Sequence, residues 1–193
     1  MMKILYSSFL RDPENVCFEG EDKDEKIILV LRQHVITNTP RILFSLFLFL
    51  IPILLPTLFK LNQVTFFSSL PASYKFIIGT FWYVFTFGYV FTSFLGWYFT
   101  VYLVTSKRIV DIDFEGLIHR HFSDALLSNV EDLTHQISGA LQVIFNFGTL
   151  YIQTAGERRE LDFENIPSPT KVHDIVSDLS ASAHQKLGPE HDD

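Results

Sequence analysis

A chain of 193 residues has room for one globular domain, or for a smaller domain with membrane segments, and not for two separate cores. Hydrophobic residues make up 48% and charged residues only 19%, with most of the 20 Phe crowded between positions 44 and 99, so the average hides two different materials. A net charge of −7 argues against nucleic-acid binding, which relies on cations to neutralise phosphates, and the single Cys17 excludes a disulfide framework or a multi-cysteine metal site.

The first long apolar run, ILFSLFLFLIPILLPTLF over 42–59, holds 18 residues without a charge between Arg41 and Lys60. At about 1.5 Å per residue it spans roughly 27 Å, just enough to cross a bilayer. Pro52 and Pro56 predict a kink, which membrane helices tolerate where neighbouring groups satisfy the freed carbonyls. The run follows an acidic stretch and has no small-residue cleavage site behind it, so it does not read as a signal peptide.

A second uncharged run extends from Phe76 to Ser106, too long for a bilayer of about 30 Å unless its end belongs elsewhere. Trp82-Tyr83 and Trp97-Tyr98 lie about 22 Å apart along a helix, the spacing of aromatic anchors at two interfaces, which sets the second span at 76–98. Gly88, Thr92 and Gly96 recur every fourth residue as a small-residue stripe suited to close helix packing. Two spans put both termini on one side. Lys26, Arg32 and Arg41 before them, and Lys107, Arg108 and Arg120 after them, outnumber Lys60 and Lys75 in the loop 60–75, so the expected location is the cell membrane with cytoplasmic termini and a short external loop. Arg41, Lys107 and Arg108 read as interface anchors. Neither span carries a charged side chain, which argues against a proton or ion pathway.

From Thr100 the pattern turns to period two: Val110, Ile112 and Phe114 alternate with Asp111, Asp113 and Glu115, and Glu115-Gly116 supplies a turn into a second alternating run. Further strands are expected at 125–133, 140–147, 150–154 and 159–163, separated by turns at Ser138-Gly139, Phe147-Gly148 and Ala155-Gly156. A closing helix starts after Ser168 as N-cap with Pro169 in its first position, and Val172, Ile175, Val176, Leu179 and Ala183 form one apolar stripe. Residues 187–193 read as a disordered tail. Short antiparallel strands followed by one amphipathic helix give the order of a pleckstrin-homology (PH) fold.

Particular segments carry a family likeness: FEGEDKDEKIILVLRQH ahead of the first span, VTSKRIVDID after the second, then FGTLYIQTAG and LDFENIPSPTKVHDIV. Together they resemble the bacterial PH (YdbS-like) membrane-protein family over about Phe18 to Leu179. The resemblance implies an integral membrane α+β protein: a transmembrane hairpin over 42–98, and a PH-like antiparallel β-barrel or sandwich over 99–186 capped by a C-terminal α-helix. Within the N-terminal segment 1–41 it also implies a strand over 27–31, where periodicity is silent. Ser106 stands where the family pattern has Asn. These motifs are structural, and they specify the fold far more than an activity.

PH domains that bind phosphoinositides carry several Lys and Arg around the first hairpin loop, whereas Asp111, Asp113 and Glu115 occupy that region here. From Thr105 to Asp193 the chain has 7 basic and 15 acidic residues, a balance of about −8 that gains nothing from an anionic leaflet. Lipid or head-group sensing would have to rest on Lys107, Arg108 and Arg120. His119 and His121 lie two apart on one strand and could share a metal with His135 or Asp124, but two histidines without an evident third ligand read more simply as surface residues. His34 and His173 read as structural, and Cys17 lies in an acidic segment that disfavours a thiolate. No nucleophile, base and orienting group stand together, and no cofactor or small-molecule substrate is implied. The expected function is a non-enzymatic, membrane-anchored interaction or scaffold protein, with the bilayer and a protein partner or a second copy of itself as partners.

Overall fold

The computed structural model describes residues 8–13, 22, 24–63, 69–115, 119–155 and 160–187. Among the described residues, strands and α-helices follow one another in the order β1 (Phe9–Arg11), β2 (Ile27–Arg32), α1 (Thr39–Leu61), α2 (Ala72–Phe99), β3 (Val101–Thr105), β4 (Arg108–Glu115), β5 (His119–Leu126), β6 (Val130–Gln136), α3 (Ala140–Phe145), β7 (Phe147–Thr154), β8 (Glu160–Pro167) and α4 (Pro169–Leu187). Short 3-10 turns at Val35–Asn38 and Leu127–Asn129 introduce α1 and β6.

The strands form two antiparallel sheets, β1-β2-β3-β4-β5 and β6-β7-β8, and α4 closes the sandwich. Leu29, Leu31, Tyr102, Val104 and Ile109 of the larger sheet meet Leu150, Ile152, Phe163 and Ile166 of the smaller one and Val172 and Val176 of α4. Tyr102 stacks on Phe163 with ring centroids 4.6 Å apart. A second cluster, Ile27, Val30, Leu103 and Val110, is buried separately from that core. β2 therefore contributes to both clusters, and a strand buried on two sides reads as a continuous apolar run instead of an alternating one.

β2 precedes the two long helices in the chain and β3 follows them, yet the two strands pair, with Arg32 opposite Val101 and Leu31 opposite Tyr102. The helical hairpin is thus inserted between neighbouring central strands. Val35–Leu61 and Ala72–Phe99 are each long and apolar enough to cross a membrane, with mean hydropathies of 2.6 and 1.3. Only 6% of either window is buried, so neither is a core helix of the folded chain.

α1 runs unbroken through Pro52 and Pro56. Pro52 has no N–H, which leaves the Leu48 carbonyl, four residues earlier, without its helical donor. The Trp82 indole Nε1–H of α2 donates to that carbonyl at 2.8 Å. Phe44 against Tyr89 and Phe49 against Tyr83, both with centroids 5.4 Å apart, complete the helix contact.

Three expectations for the soluble part are corrected. Residues 140–147 do not form a strand: Gly139 (φ 95°) breaks β6, Ala140–Phe145 is a helix, and Asn146 in the left-handed region ends it with its N–H bonded to the Gln142 carbonyl. A six-residue apolar run does not decide between helix and strand by periodicity, and here the flanking residues decide. The stretch 125–133 is divided by the Leu127–Asn129 turn between β5 and β6. Phe147-Gly148 is the start of β7 rather than a turn, and a Cβ on Gly148 would collide with the Gln136 carbonyl oxygen of the adjoining strand.

The closing helix starts at Pro169, and the Ser168 carbonyl accepts from the N–H groups of Lys171 and Val172. The Ser168 hydroxyl accepts from Asn146 Nδ2 at 3.3 Å, tying the start of α4 to the end of α3.

Candidate functional site

Polar and aromatic contacts join the hairpin to the sandwich at their junction. Gln33, between β2 and the 3-10 turn, accepts from Trp97 Nε1 at 3.1 Å through its backbone carbonyl. The His34 N–H donates to the Asn165 carbonyl of β8 at 2.8 Å, and its ring stacks on Phe147 of β7 with centroids 5.0 Å apart. His34 Nδ1 accepts from the Ile36 N–H at 3.3 Å and so starts the turn that leads into α1. Burial lowers the pKa of His34, which favours the neutral ring that this bond requires. The Arg32 guanidinium lies 5.0 Å from the Tyr98 ring centroid, a cation–π contact between β2 and the end of α2. Residues from both sheets and both helices are thereby joined within a few residues of where the chain leaves the sandwich.

Beside this junction is a group of carboxylates on β4 and β8. Burial first, and then the neighbouring charges of Asp113, Glu164 and Asp162, push the Asp111 carboxyl up to about 7. Tyr102, opposite Asp111 in register, is raised by its own burial and by Asp113, and its hydroxyl accepts from the Glu164 N–H at 3.2 Å. A carboxyl that changes charge near neutrality is a group that can respond to pH, but these acids do not form a metal site: among the described residues no three His, Cys, Asp or Glu side chains are grouped to hold an ion.

Lys107 and Arg108 lie at the other end of β3. Five strand residues, about 17 Å at 3.4 Å per residue, separate the end of α2 from the turn that carries them. There Arg108 forms a bidentate pair with Glu25, Nη2–Oε2 at 2.8 Å and Nε–Oε1 at 3.0 Å. It also reaches Asp124 at 3.3 Å, while Lys107 Nζ lies 3.3 Å from Asp22. The Glu25 side chain is fully buried. Burial raises its pKa, but hydrogen bonds from Arg108, the Thr105 hydroxyl and the Asp22 N–H outweigh that and hold it at about 2. The two cations are engaged in a clamp that fixes the segment before β2 to the start of β4.

The remaining sequence candidates are dispersed. Arg41 is at the start of α1, bonded to Asn38 Oδ1 at 3.3 Å, and shares with Val35, Ile42, Phe94 and Trp97 a groove of about 240 Å³ between the helices. Trp82 and Tyr83 face Leu48 and Phe49, near the middle of α1, where the Trp82 N–H makes the interhelical bond. Trp97 and Tyr98 are at the junction. A Cβ on Gly88 would meet nothing within 4 Å among the described residues, and Thr92 returns its hydroxyl to the Gly88 carbonyl at 3.0 Å. Gly96 accepts in the same way from Thr100 at 2.9 Å. His121 is exposed on β5 opposite Asp113, His119 pairs in register with Glu115 but its side chain lies outside the described residues, and so does that of Arg120. His135 packs edge-on against His173 of α4, 5.2 Å between centroids. Cys17, Gly156 and the tail 188–193 also lie outside the described residues. Sequence reasoning missed the Glu25–Arg108 pair, whose partners are 83 residues apart, and no local pattern signals it.

The sequence matches the family described as Bacterial PH domain over residues 45–180, a stretch that begins inside α1 and ends in α4. No curated protein matches the chain. Among solved structures it is similar to a DUF1696 family protein with a pleckstrin-homology domain from Shewanella loihica PV-4, at 15% identity and a TM-score of 0.34, covering 42% of this chain and 70% of that one. A pleckstrin-homology domain from Shewanella amazonensis SB2B is similar at 14% identity and the same TM-score, with 42% and 66% covered. Two antiparallel sheets closed by a C-terminal helix are what a PH domain requires, and with the family match extending over well more than half of its length the chain belongs to the bacterial PH domain family.

Proposed function

We propose that this chain is a membrane-anchored, non-catalytic interaction module. In this reading α1 and α2 cross the bilayer as a hairpin with both termini on the cytoplasmic side, and the PH-like body stands against the membrane to receive a protein partner or a second copy. PH domains are typically binding modules. The observation that carries the proposal is the pairing of β2 with β3 across the inserted hairpin, Arg32 opposite Val101. α2 passes through Thr100 into β3, β2 leads through Gln33, His34 and a 3-10 turn into α1, and the Trp97–Gln33 and His34–Asn165 bonds brace both exits. A body joined this way has a set orientation to the bilayer, which suits presenting one surface to a partner. The helices' apolar faces support the membrane assignment because among the described residues little covers them.

The engagement of Lys107 and Arg108 with Asp22, Glu25 and Asp124 favours a protein partner over an anionic head group, since a phosphate would have to displace carboxylates already in place. In a Cys17→Ser background, intact cells carrying Asn62→Cys should be labelled by a membrane-impermeant thiol reagent, and those carrying Glu131→Cys only after lysis. The protein should also stay with membranes through alkaline carbonate extraction. Release by carbonate, or the reverse labelling pattern, overturns the assignment.

A further inference from the structure

α3 is an exposed apolar helix in an unusual place. Leu141, Val143, Ile144 and Phe145 are 55%, 66%, 72% and 45% exposed, four large apolar side chains on a helix of six residues. From Leu133 to Gly156 the chain carries no Asp, Glu, Lys or Arg, although the stretch belongs to the strongly acidic half of the protein. The position of α3 is set by contacts with the junction. The Phe145 ring is 6.5 Å from that of His34, the residue just before the turn into α1, and the same His34 ring is stacked on Phe147. Gln142 Nε2 lies 3.5 Å from Asn165 Oδ1, and the Asn165 carbonyl receives the His34 N–H. Trp97 bonds the residue preceding His34, so α3 stands at the level where the last tryptophan of α2 meets the sandwich. Val35, next in sequence after His34 and 54% exposed, is a further apolar side chain on the way into α1.

We infer that α3 is a second membrane contact of the body: a short finger whose Leu141, Val143, Ile144 and Phe145 enter the boundary between head groups and acyl chains beside the hairpin. The inference rests on the spanning assignment of α1 and α2 and specifies how the body meets the same bilayer. Three features select lipid as the occupant. Phe145 lies against His34, the residue that leads through exposed Val35 into α1, the stretch has no charge to desolvate, and its own flanks hold the helix at the junction rather than at the distal end of the sandwich. Interfacial segments of this type bury their apolar face roughly 5–10 Å into the head-group and acyl boundary. With α1 and α2, such a contact would give the body three points of attachment and so restrict both its tilt and its rotation.

The test uses the whole chain with Cys17→Ser, reconstituted in phospholipid vesicles, and one environment-sensitive fluorophore on Ile144→Cys, on Phe47→Cys of α1, or on Glu131→Cys of β6. Quenching by acyl-chain-borne nitroxide is compared with quenching by aqueous iodide. The expected result is that the Ile144 probe is quenched by lipid severalfold more than the Glu131 probe and is shielded from iodide, as the Phe47 probe is. If Phe47 responds to lipid while Ile144 follows Glu131, the finger is refuted and the spanning assignment stands. If Ile144 is shielded from both quenchers, protein covers α3, and the inference fails. A Phe47 probe open to iodide and indifferent to lipid removes the spanning assignment and the finger together.

Discussion

The Glu25 carboxylate is buried, paired and hydrogen-bonded at once, and that combination gives it a clear signature. Breaking a buried pair costs about 3–5 kcal/mol, and Glu25→Gln should fall at the low end because Asp22 and Asp124 still face Arg108. A folded pKa of about 2 against an ordinary 4.5 means that this stabilisation is present in full above pH 4.5 and lost as pH falls through about 2. Chemical denaturation of the wild type and the variant at several pH values should show curves that converge in acid; a gap unchanged at pH 2 would refute the clamp. Asp111 has the opposite sign. Its folded pKa of about 7 lies above the ordinary 3.8, so its contribution is most favourable below pH 3.8 and is lost as pH rises towards and through 7. Asp111→Asn should therefore stabilise the protein at pH 8 and leave it unchanged at pH 3. An equal effect at both would mean that packing, and not charge, is at work.

At the scale of elements, the hairpin depends on one bond that its own sequence makes necessary. Pro52 frees the Leu48 carbonyl and Trp82 fills the vacancy, so the two residues should be coupled. Interhelical hydrogen bonds in membranes contribute about 0.6–2 kcal/mol, and Trp82→Phe should lose about that amount of hairpin stability, read by steric trapping or denaturation in detergent micelles. In a Pro52→Ala background the helix supplies its own donor to Leu48, and Trp82→Phe should then cost markedly less. Equal losses in the two backgrounds would show that the indole acts through packing alone. The same scale shows what the residues disclosed and what they withheld. The stripe Val172, Val176, Leu179 was legible because α4 buries one face, and the alternation of Val110 and Ile112 with Asp111 and Asp113 showed in β4 although that strand also buries Ile109 on its carboxylate side. β2 was not legible by period, since Leu29 and Leu31 go to one apolar cluster and Ile27 and Val30 to the other, and the family likeness had to supply it. α3 was misread because Leu141, Val143, Ile144 and Phe145 are apolar without a core to face, so no buried side exists to set a period. The junction was invisible for a different reason: His34, Phe147 and Asn165 lie on three separate segments that only the closed sandwich brings together.

For the molecule as a whole, the decisive fact is that the body is not a contiguous stretch of chain. Residues 100–187 alone lack β2, whose Ile27, Leu29, Val30 and Leu31 are all buried. At about 1.5–3 kcal/mol for each large apolar side chain buried, their removal takes away roughly 6–12 kcal/mol, as much as the whole margin of 5–15 kcal/mol that keeps a typical domain folded. That segment expressed alone should fail to unfold cooperatively. Arg32 and Val101 are direct partners at the ends of β2 and β3, so a tight turn can replace the hairpin and join residues 24–33 to 100–187 without changing any register. The joined body should unfold in a single cooperative transition, and it offers the cleanest measure of what the sandwich binds by itself. It keeps the Glu25–Arg108 clamp and an excess of carboxylates, so raising the fraction of anionic lipid in vesicles should not raise its retention. Retention that climbs with anionic lipid, and drops in Lys107→Gln and Arg108→Gln variants that remain folded, would replace the proposed protein recognition with binding of the head groups of the membrane.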